Sequence, residues 1–352
     1  MWTATYVGDR TISLREAEPA PPSPGQVQVE VAYVGLCGTD LHILQGHLDA
    51  RVQPPAVIGH EMSGTIARVG EGVVGWTTGD PVTVMPLDWD GTCPACVAGH
   101  SHICQHLNFL GIDSPGALQR HWNVDAAHLI GLPRRLRLDH AALVEPTAVA
   151  VHDVRRGDVG SGDRVMVIGG GPIGLLIAVV ARHLGADVVV AEIDPLRRQW
   201  VAGAGFDVLD PSRDDQAAWI EQWTGGAGAD VVFEVSGAAA AIVSAIDLAR
   251  VRGTIVMVAI HPEPRAVDLQ RVIWRELRII GARVYQRTDF EEAVALVAAG
   301  VVPAEQMIST IAPLAATAEA FATLEGGQAM KVLIEVGAEP AADAAPIAPT
   351  HQ

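Results

Sequence analysis

The chain has 352 residues, 49% of them hydrophobic and 18% charged, a composition that folds rather than one that stays disordered. Its 41 acidic residues outnumber 24 basic ones and leave a formal charge of −17, so a general binder of phosphate backbones would work against its own field. The length predicts two domains, each burying its own core.

The first residues lack a basic segment followed by an apolar run, which makes the cytoplasm the expected compartment. From Gln26 to Val34 the order QVQVEVAYV places Val27, Val29 and Val31 on one side of an extended segment, as a half-buried strand requires. Strand-like pieces at Thr65 to Val69 and Pro81 to Met85 follow, separated by Gly-rich turns, so residues 1–150 read as a small β-rich barrel or sandwich. Near Val151 the texture changes. Val165 to Ile168 is a compact apolar run, a glycine cluster follows, and Ile173 to Leu184 continues without a breaker. Strand-like runs return at Asp187 to Glu192, Asp230 to Val235, Gly253 to Ala259 and Leu277 to Val284, with a helix-like Asp215 to Trp223 among them. Such alternation predicts a doubly wound parallel sheet over residues 151–288. Residues 289–336 read as a helix at Asp289 to Gly300, a second at Leu314 to Glu325 and a strand at Lys331 to Val336, returning to the first domain; 337–352 read as a disordered tail. The apolar stretch Val165 to Ala181 approaches the length of a membrane span, but its glycines and Pro172 argue against one.

Gly169-Gly-Gly171-Pro172-Ile173-Gly174 satisfies G-x-G-x-x-G between an apolar strand and a helix. Gly169 makes the tight turn, Gly171 lets a pyrophosphate approach the backbone, and Gly174 lets helix and strand pack closely, with the phosphates at the helix N-terminus. Eighteen residues beyond Gly174, Glu192 closes the next apolar strand, where a carboxylate can hold both adenosine ribose hydroxyls. Its charge predicts NAD. Arg197 and Arg198 are the residues that can meet the 2′-phosphate of NADP instead, and Asp194 is an alternative ribose acid.

Gly35-Leu-Cys37-Gly-Thr39-Asp40-Leu-His42 and Gly59-His60-Glu61 supply thiolate, imidazole and carboxylate, the ligand types of a catalytic zinc with an open position. Cys93, Cys96 and Cys104 hold three of the four cysteines, a spacing that in a reducing compartment points to metal sooner than to disulfides. Each residue alone has an ordinary reading as a buried thiol, a core histidine or a surface acid.

The full run Gly59-His60-Glu61-x2-Gly64-x5-Gly70-x2-Val73 resembles the zinc signature of the medium-chain alcohol dehydrogenase family, Cys37-Gly-Thr39-Asp40-x-His42 resembles its first ligand motif, and Gly169 to Gly174 its coenzyme turn. The resemblance covers nearly the whole chain and implies a GroES-like catalytic domain joined to a Rossmann coenzyme domain. It makes Cys37 and His60 ligands of a catalytic zinc and Asp40 the partner that orients His60. Glu61 and Glu145 resemble the two glutamates of the sorbitol and threonine dehydrogenase branch, either of which can bind the metal. Asp90-Gly-Thr-Cys93-Pro-Ala-Cys96-x7-Cys104 resembles the family's structural zinc lobe with aspartate in place of the first cysteine, an acceptable oxygen ligand. His100, His102 and His106 are nearby substitutes.

The resemblance further implies hydride transfer between an alcohol carbon and NAD, with Thr39 accepting the alcohol proton and His42 passing it outward. A small-molecule alcohol or polyol is then the partner, in a homodimer or homotetramer, with no role for nucleic acid or membrane. The segment Trp274 to Phe290 looks most like the butanediol dehydrogenase relatives, and Tyr285 and Arg287 are placed to hydrogen-bond a second substrate oxygen, although a surface tyrosine and arginine are equally consistent with that loop. A vicinal diol or small polyol such as 2,3-butanediol or sorbitol is the expected substrate class. A nucleotide- and zinc-binding module without turnover is the alternative of a different kind.

Overall fold

Val27, Val29, Val31, Val34 and Leu36 are fully buried along the 11-residue strand Gln26–Leu36, the longest of the chain's described strands. The computed structural model describes residues 1–261 and 263–337, so the tail read over 337–352 falls, beyond Gly337, outside the described residues. Gln26–Leu36 pairs antiparallel with Glu61–Val69, with Lys331–Glu335 and with His121–Asp125. The sheet runs Leu129–Gly131, Pro81–Val84, Glu61–Val69, Gln26–Leu36, Lys331–Glu335, Ile308–Pro313. A smaller three-stranded sheet of Ile12–Glu16, Trp2–Tyr6 and Ala56–Val57 completes the β-rich character.

The chain divides into two units. The first comprises residues 1–145 together with the segment from Ile308 onward, and the second runs Pro146–Met307. The return to the first unit therefore begins at Ile308 and not at residue 289. The helix Arg287–Ala298 buries Phe290, Ala293, Val294, Leu296 and Val297, which makes it part of the second unit's core.

The second unit carries a six-stranded, all-parallel sheet in the order Asp207–Leu209, Asp187–Ala191, Arg164–Ile168, Ala229–Glu234, Ala249–Met257, Arg278–Gly281. Strand order reverses between Arg164–Ile168 and Ala229–Glu234, the switch point at which a doubly wound sheet opens a crevice beyond its carboxyl ends. Met166, Val189, Val232 and Ile255 form one apolar layer with Ile242, Ala245 and Ile246 of the helix Ala239–Leu248. The stretch from Val165 to Ala181 is split into the strand Arg164–Ile168 and the helix Pro172–His183. No helix among the described residues is long and apolar enough to cross a membrane.

Candidate active site and metal centres

Three adjacent strands of the first unit converge on one point. Cys37 directly follows Gln26–Leu36 and precedes the helix Gly38–Leu44, His60 directly precedes Glu61–Val69, and Lys331 opens Lys331–Glu335. The registers Gly35↔Glu61 and Leu36↔Val332 bring these ends side by side. Gly35 leaves the Glu61 carboxylate room there, since a Cβ would displace it from its present position.

One donor atom each from Cys37, His60 and Glu61 lie within 4.8 Å of one another, and Cys37 Sγ stands 3.4 Å from His60 Nε2. His60 Nδ1 turns the other way, toward Asp40 Oδ1 at 3.8 Å, and both atoms are buried without a hydrogen-bond partner among the described residues. Asp40 Oδ2 accepts the backbone N–H of Cys37, which ties the acid to the thiol's own turn. A half-buried thiol with a buried imidazole and carboxylate, their donors converging, fits zinc, and Asp40 is placed to orient the ring from the side opposite Nε2. Burial pushes the Cys37 thiol up, and Asp40 adds to this. For His60, burial opposes charge, yet Cys37 and Asp40 outweigh it and hold the imidazole well above its ordinary value. A thiol and an acid whose charged forms burial disfavours, set around one ring, form a place where a bound cation would favour both anions.

Glu61 and Glu145 are placed differently. Glu61 is among the clustered donors, and both its oxygens accept from Lys331 Nζ at 2.8 and 2.6 Å. Glu145 is buried near the start of the helix Val144–Arg156, close enough for its charge to act on His60 and Lys331 but outside the cluster of three. Thr39 is half-buried on the Gly38–Leu44 helix, and His42 is exposed one turn on, with its Nδ1 3.3 Å from that of His47.

Asp90, Cys93, Cys96 and Cys104 form a second cluster, their donor atoms also within 4.8 Å. Backbone N–H groups of Gln105 and Cys96 point at Cys93 Sγ and lower its pKa, so a thiolate is favoured before any metal binds. Asp90 Oδ1 accepts from Thr92 and Cys93, and its Oδ2 pairs with His106 Nδ1 at 2.6 Å. This His106 bond and the two backbone bonds hold the Asp90 carboxyl well below the usual range. His106 thus stands behind Asp90 instead of replacing it.

In the second unit, Gly169 adopts φ 114° at the end of its strand, and Gly171 is the N-cap of Pro172–His183 with no side-chain capping bond. A Cβ on Gly174 would overlap the carbonyl oxygen of Gly169, and one on Gly169 would press on Ser236 N at 3.0 Å. The cradle is therefore bare backbone opening on a helix N-terminus, as a dinucleotide pyrophosphate needs. Glu192 is buried, with Oε2 on Gly170 N at 2.7 Å and Oε1 on Asp194 N at 2.8 Å. Asp194 caps the helix Pro195–Gly203 through Arg197 N, a structural use of the alternative acid. Arg198 is turned back onto the carbonyls of Glu192 and Ile193 and onto Asp210, whereas the Arg197 guanidinium lies beside Gly171.

Tyr285 does not stand on a surface loop. It is fully buried, its ring edge-on to Phe290 at 5.1 Å between centroids. Arg287 pairs with Glu291 one turn along its helix. Sequence reasoning passed over Lys331, whose signal was present: it is the only lysine in the chain.

Residues 23–134 match the family model for the alcohol dehydrogenase GroES-like domain, and residues 172–299 match that for the zinc-binding dehydrogenase domain. The chain is 48% identical over 340 residues to a 2-dehydro-3-deoxy-L-galactonate 5-dehydrogenase of Pseudoalteromonas atlantica, a match that spans 96% of this chain and all of that one. It is 33% identical to a sorbitol dehydrogenase of Halalkalibacterium halodurans across 90% of this chain and 94% of that one. Among solved structures, the 2R,3R-butanediol dehydrogenase of Bacillus subtilis superposes with a TM-score of 0.88 at 30% identity, covering 95% of this chain and 99% of that one.

Proposed function

Because this chain belongs to the zinc-dependent medium-chain alcohol dehydrogenase family, we propose that it oxidises a secondary alcohol of a polyhydroxylated substrate, a sugar acid or polyol, with NAD as hydride acceptor, and runs the reverse reduction. The observation that carries this reading is the converging Cys37, His60 and Glu61 cluster in a chain so similar, end to end, to a sugar-acid dehydrogenase. The similarity to sorbitol and butanediol dehydrogenases supports the wider class of vicinal diols.

When bound, zinc would supply Lewis acidity toward a substrate hydroxyl, and the dinucleotide would supply the hydride acceptor. The chain's residues do the rest. Cys37, His60 and one of the two glutamates would hold the metal; Asp40, beside His60 Nδ1, would keep the proton on that nitrogen and leave Nε2, beside Cys37 Sγ, free to ligate. Thr39 accepts the alcohol proton, and the exposed His42 passes it outward. Lys331 balances the charge of Glu61 from behind. At the coenzyme turn, Gly169 to Gly174 admit the pyrophosphate and Glu192 receives the ribose. Asp90, Cys93, Cys96 and Cys104 hold the structural zinc. Self-association is part of the same reading, supported by Leu269, Ile273 and Trp274, which stand exposed on one short helix.

The test is kcat/KM with NAD for an aldonate or its deoxy-keto relative, sorbitol, 2,3-butanediol, threonine and 2-butanol, side by side. The sugar acid or polyols should exceed 2-butanol by about tenfold or more, because a buried polar group left unpaired costs on the order of 1–3 kcal/mol. Equal values for 2-butanol defeat the polyhydroxylated substrate and leave the family intact.

A further inference from the structure

At the carboxyl end of Ala229–Glu234, on the far side of the switch point from Glu192, the buried Glu234 gathers an unusual number of donors. Its Oε1 accepts from Ser236 N at 2.9 Å, Ser236 Oγ at 2.7 Å and Gly237 N at 2.9 Å, and its Oε2 lies 2.9 Å from His261 Nε2. Its carbonyl oxygen accepts from Val258 and Ala259. One residue therefore ties together the turn after its own strand and the segment leaving the neighbouring strand Ala249–Met257. That turn is also the wall of the coenzyme loop: Val235 N bonds Ile168 O, and Ser236 N is the atom that a Cβ on Gly169 would strike. Gly237 in turn packs beneath Ala259 and Ile260.

The sheet order decides which part of a dinucleotide this assembly serves. Glu192 ends the strand on one side of Arg164–Ile168, and the pyrophosphate cradle lies at the end of Arg164–Ile168 itself. A ligand that lays its adenosine ribose on Glu192 and its phosphates on Gly169 to Gly174 must extend its other half over the ends of Ala229–Glu234 and Ala249–Met257. We infer that the His261–Glu234 couple is a positioning pair for the nicotinamide half: Glu234 accepts a hydrogen bond from His261 Nε2–H and so pins the Val258 to His261 segment against the Ser236–Gly237 turn. The carboxylate fixes the ring's tautomer, because an acceptor-only partner requires an N–H at Nε2. His261 Nδ1 is buried and makes no hydrogen bond among the described residues, so Glu234 is the polar anchor of that ring among them. Neither residue belongs to the glycine turn or to the metal clusters.

This inference rests on the coenzyme's place at this sheet, and the test separates the two. Dissociation constants of NAD, NADH and ADP-ribose are measured by calorimetry on zinc-loaded wild type, His261→Leu and His261→Gln. ADP-ribose keeps the adenosine, both riboses and the phosphates and lacks only the nicotinamide. His261→Leu should weaken NAD and NADH by about three- to tenfold, the scale of one net hydrogen bond, and leave ADP-ribose within about twofold. His261→Gln, which retains an N–H for Glu234, should restore most of the loss. Parallel weakening of all three ligands, or no change in any, overturns the positioning role. Failure of wild type to bind all three would instead overturn the coenzyme site itself and the inference with it.

Discussion

The ammonium of Lys331 sits 2.8 and 2.6 Å from the two carboxylate oxygens of Glu61, both side chains almost wholly buried, so the chain's only lysine is spent neutralising one acid at the metal cluster. Burial opposes its charge, but Glu61, joined by Cys37 and Glu145, outweighs burial and holds the Lys331 pKa above its ordinary value. Breaking a buried pair by removing one partner costs about 3–5 kcal/mol, because the other charge is left uncompensated. Lys331→Met should therefore destabilise chelator-stripped protein by about that amount and the zinc-reconstituted protein by less, since a dication beside Glu61 substitutes for the ammonium. Thermal unfolding of both forms is the measurement. Equal losses in the two would show that the metal does not share Glu61's charge.

The two families of strands were legible because their signals are local. Alternating valines mark Gln26–Leu36, and the apolar run before three glycines marks Arg164–Ile168. The strands Trp2–Tyr6 and Ile12–Glu16 do alternate apolar and polar side chains, but each runs for only five residues, too short a period to stand out from the sequence. The clustering of Cys37, His60 and Glu61 was legible through motifs that lie at strand ends. Lys331 was not, because its partner Glu61 is 270 residues away and only the register of Leu36 with Val332 brings them together. The same limit hid the burial of Tyr285, which depends on Phe290 and the packing of a helix that the sequence assigned to the other domain.

The metal content of variants should separate the two clusters. Cys37→Ser should abolish turnover and remove one zinc while the Cys93 to Cys104 lobe stays loaded; Asp90→Ala should lower thermal stability more than kcat. His106→Ala frees the Asp90 carboxylate from its imidazole partner, and zinc retention in the lobe during dialysis against chelator should fall, since partners that orient a ligand are worth about 10- to 100-fold in metal affinity. Elemental analysis of dialysed, folded protein reads each case. Loss of both zincs from Cys37→Ser would refute the assignment of separate sites.

Coenzyme choice should follow Glu192. Its buried side chain bonds the glycine loop, and Arg198, one candidate for a 2′-phosphate, is already engaged by two carbonyls and Asp210. Wild type should prefer NAD over NADP, and Glu192→Ser should narrow the ratio of kcat/KM values by about tenfold, equivalent to about 1.4 kcal/mol of relieved repulsion and lost hydrogen bonding. A lower KM for NADPH in wild type would transfer the specificity role to Arg197, which lies beside Gly171.

Asp153 gives the protein a pH-dependent weakness remote from its chemistry. The residue is fully buried, neither carboxyl oxygen has a hydrogen-bond partner among the described residues, and the negative Asp289 lies nearby, itself bonded by His152 and Arg155. Burial first, and Asp289 second, raise the Asp153 pKa well above that of a free carboxyl. In the unfolded chain the group loses its proton near the ordinary value of about 3.9, while the folded chain keeps it to higher pH. Across that window the folded state binds more protons, so rising pH favours unfolding and the stability contributed by protonated Asp153 is lost until the folded pKa is passed. Asp153→Asn cannot ionise and should remove this decline, so the melting temperature of the variant relative to wild type should climb as pH rises above about 4. Melting curves of both proteins between pH 4 and 9 test it, and a constant difference across the range would mean that Asp153 does not change its protonation on unfolding.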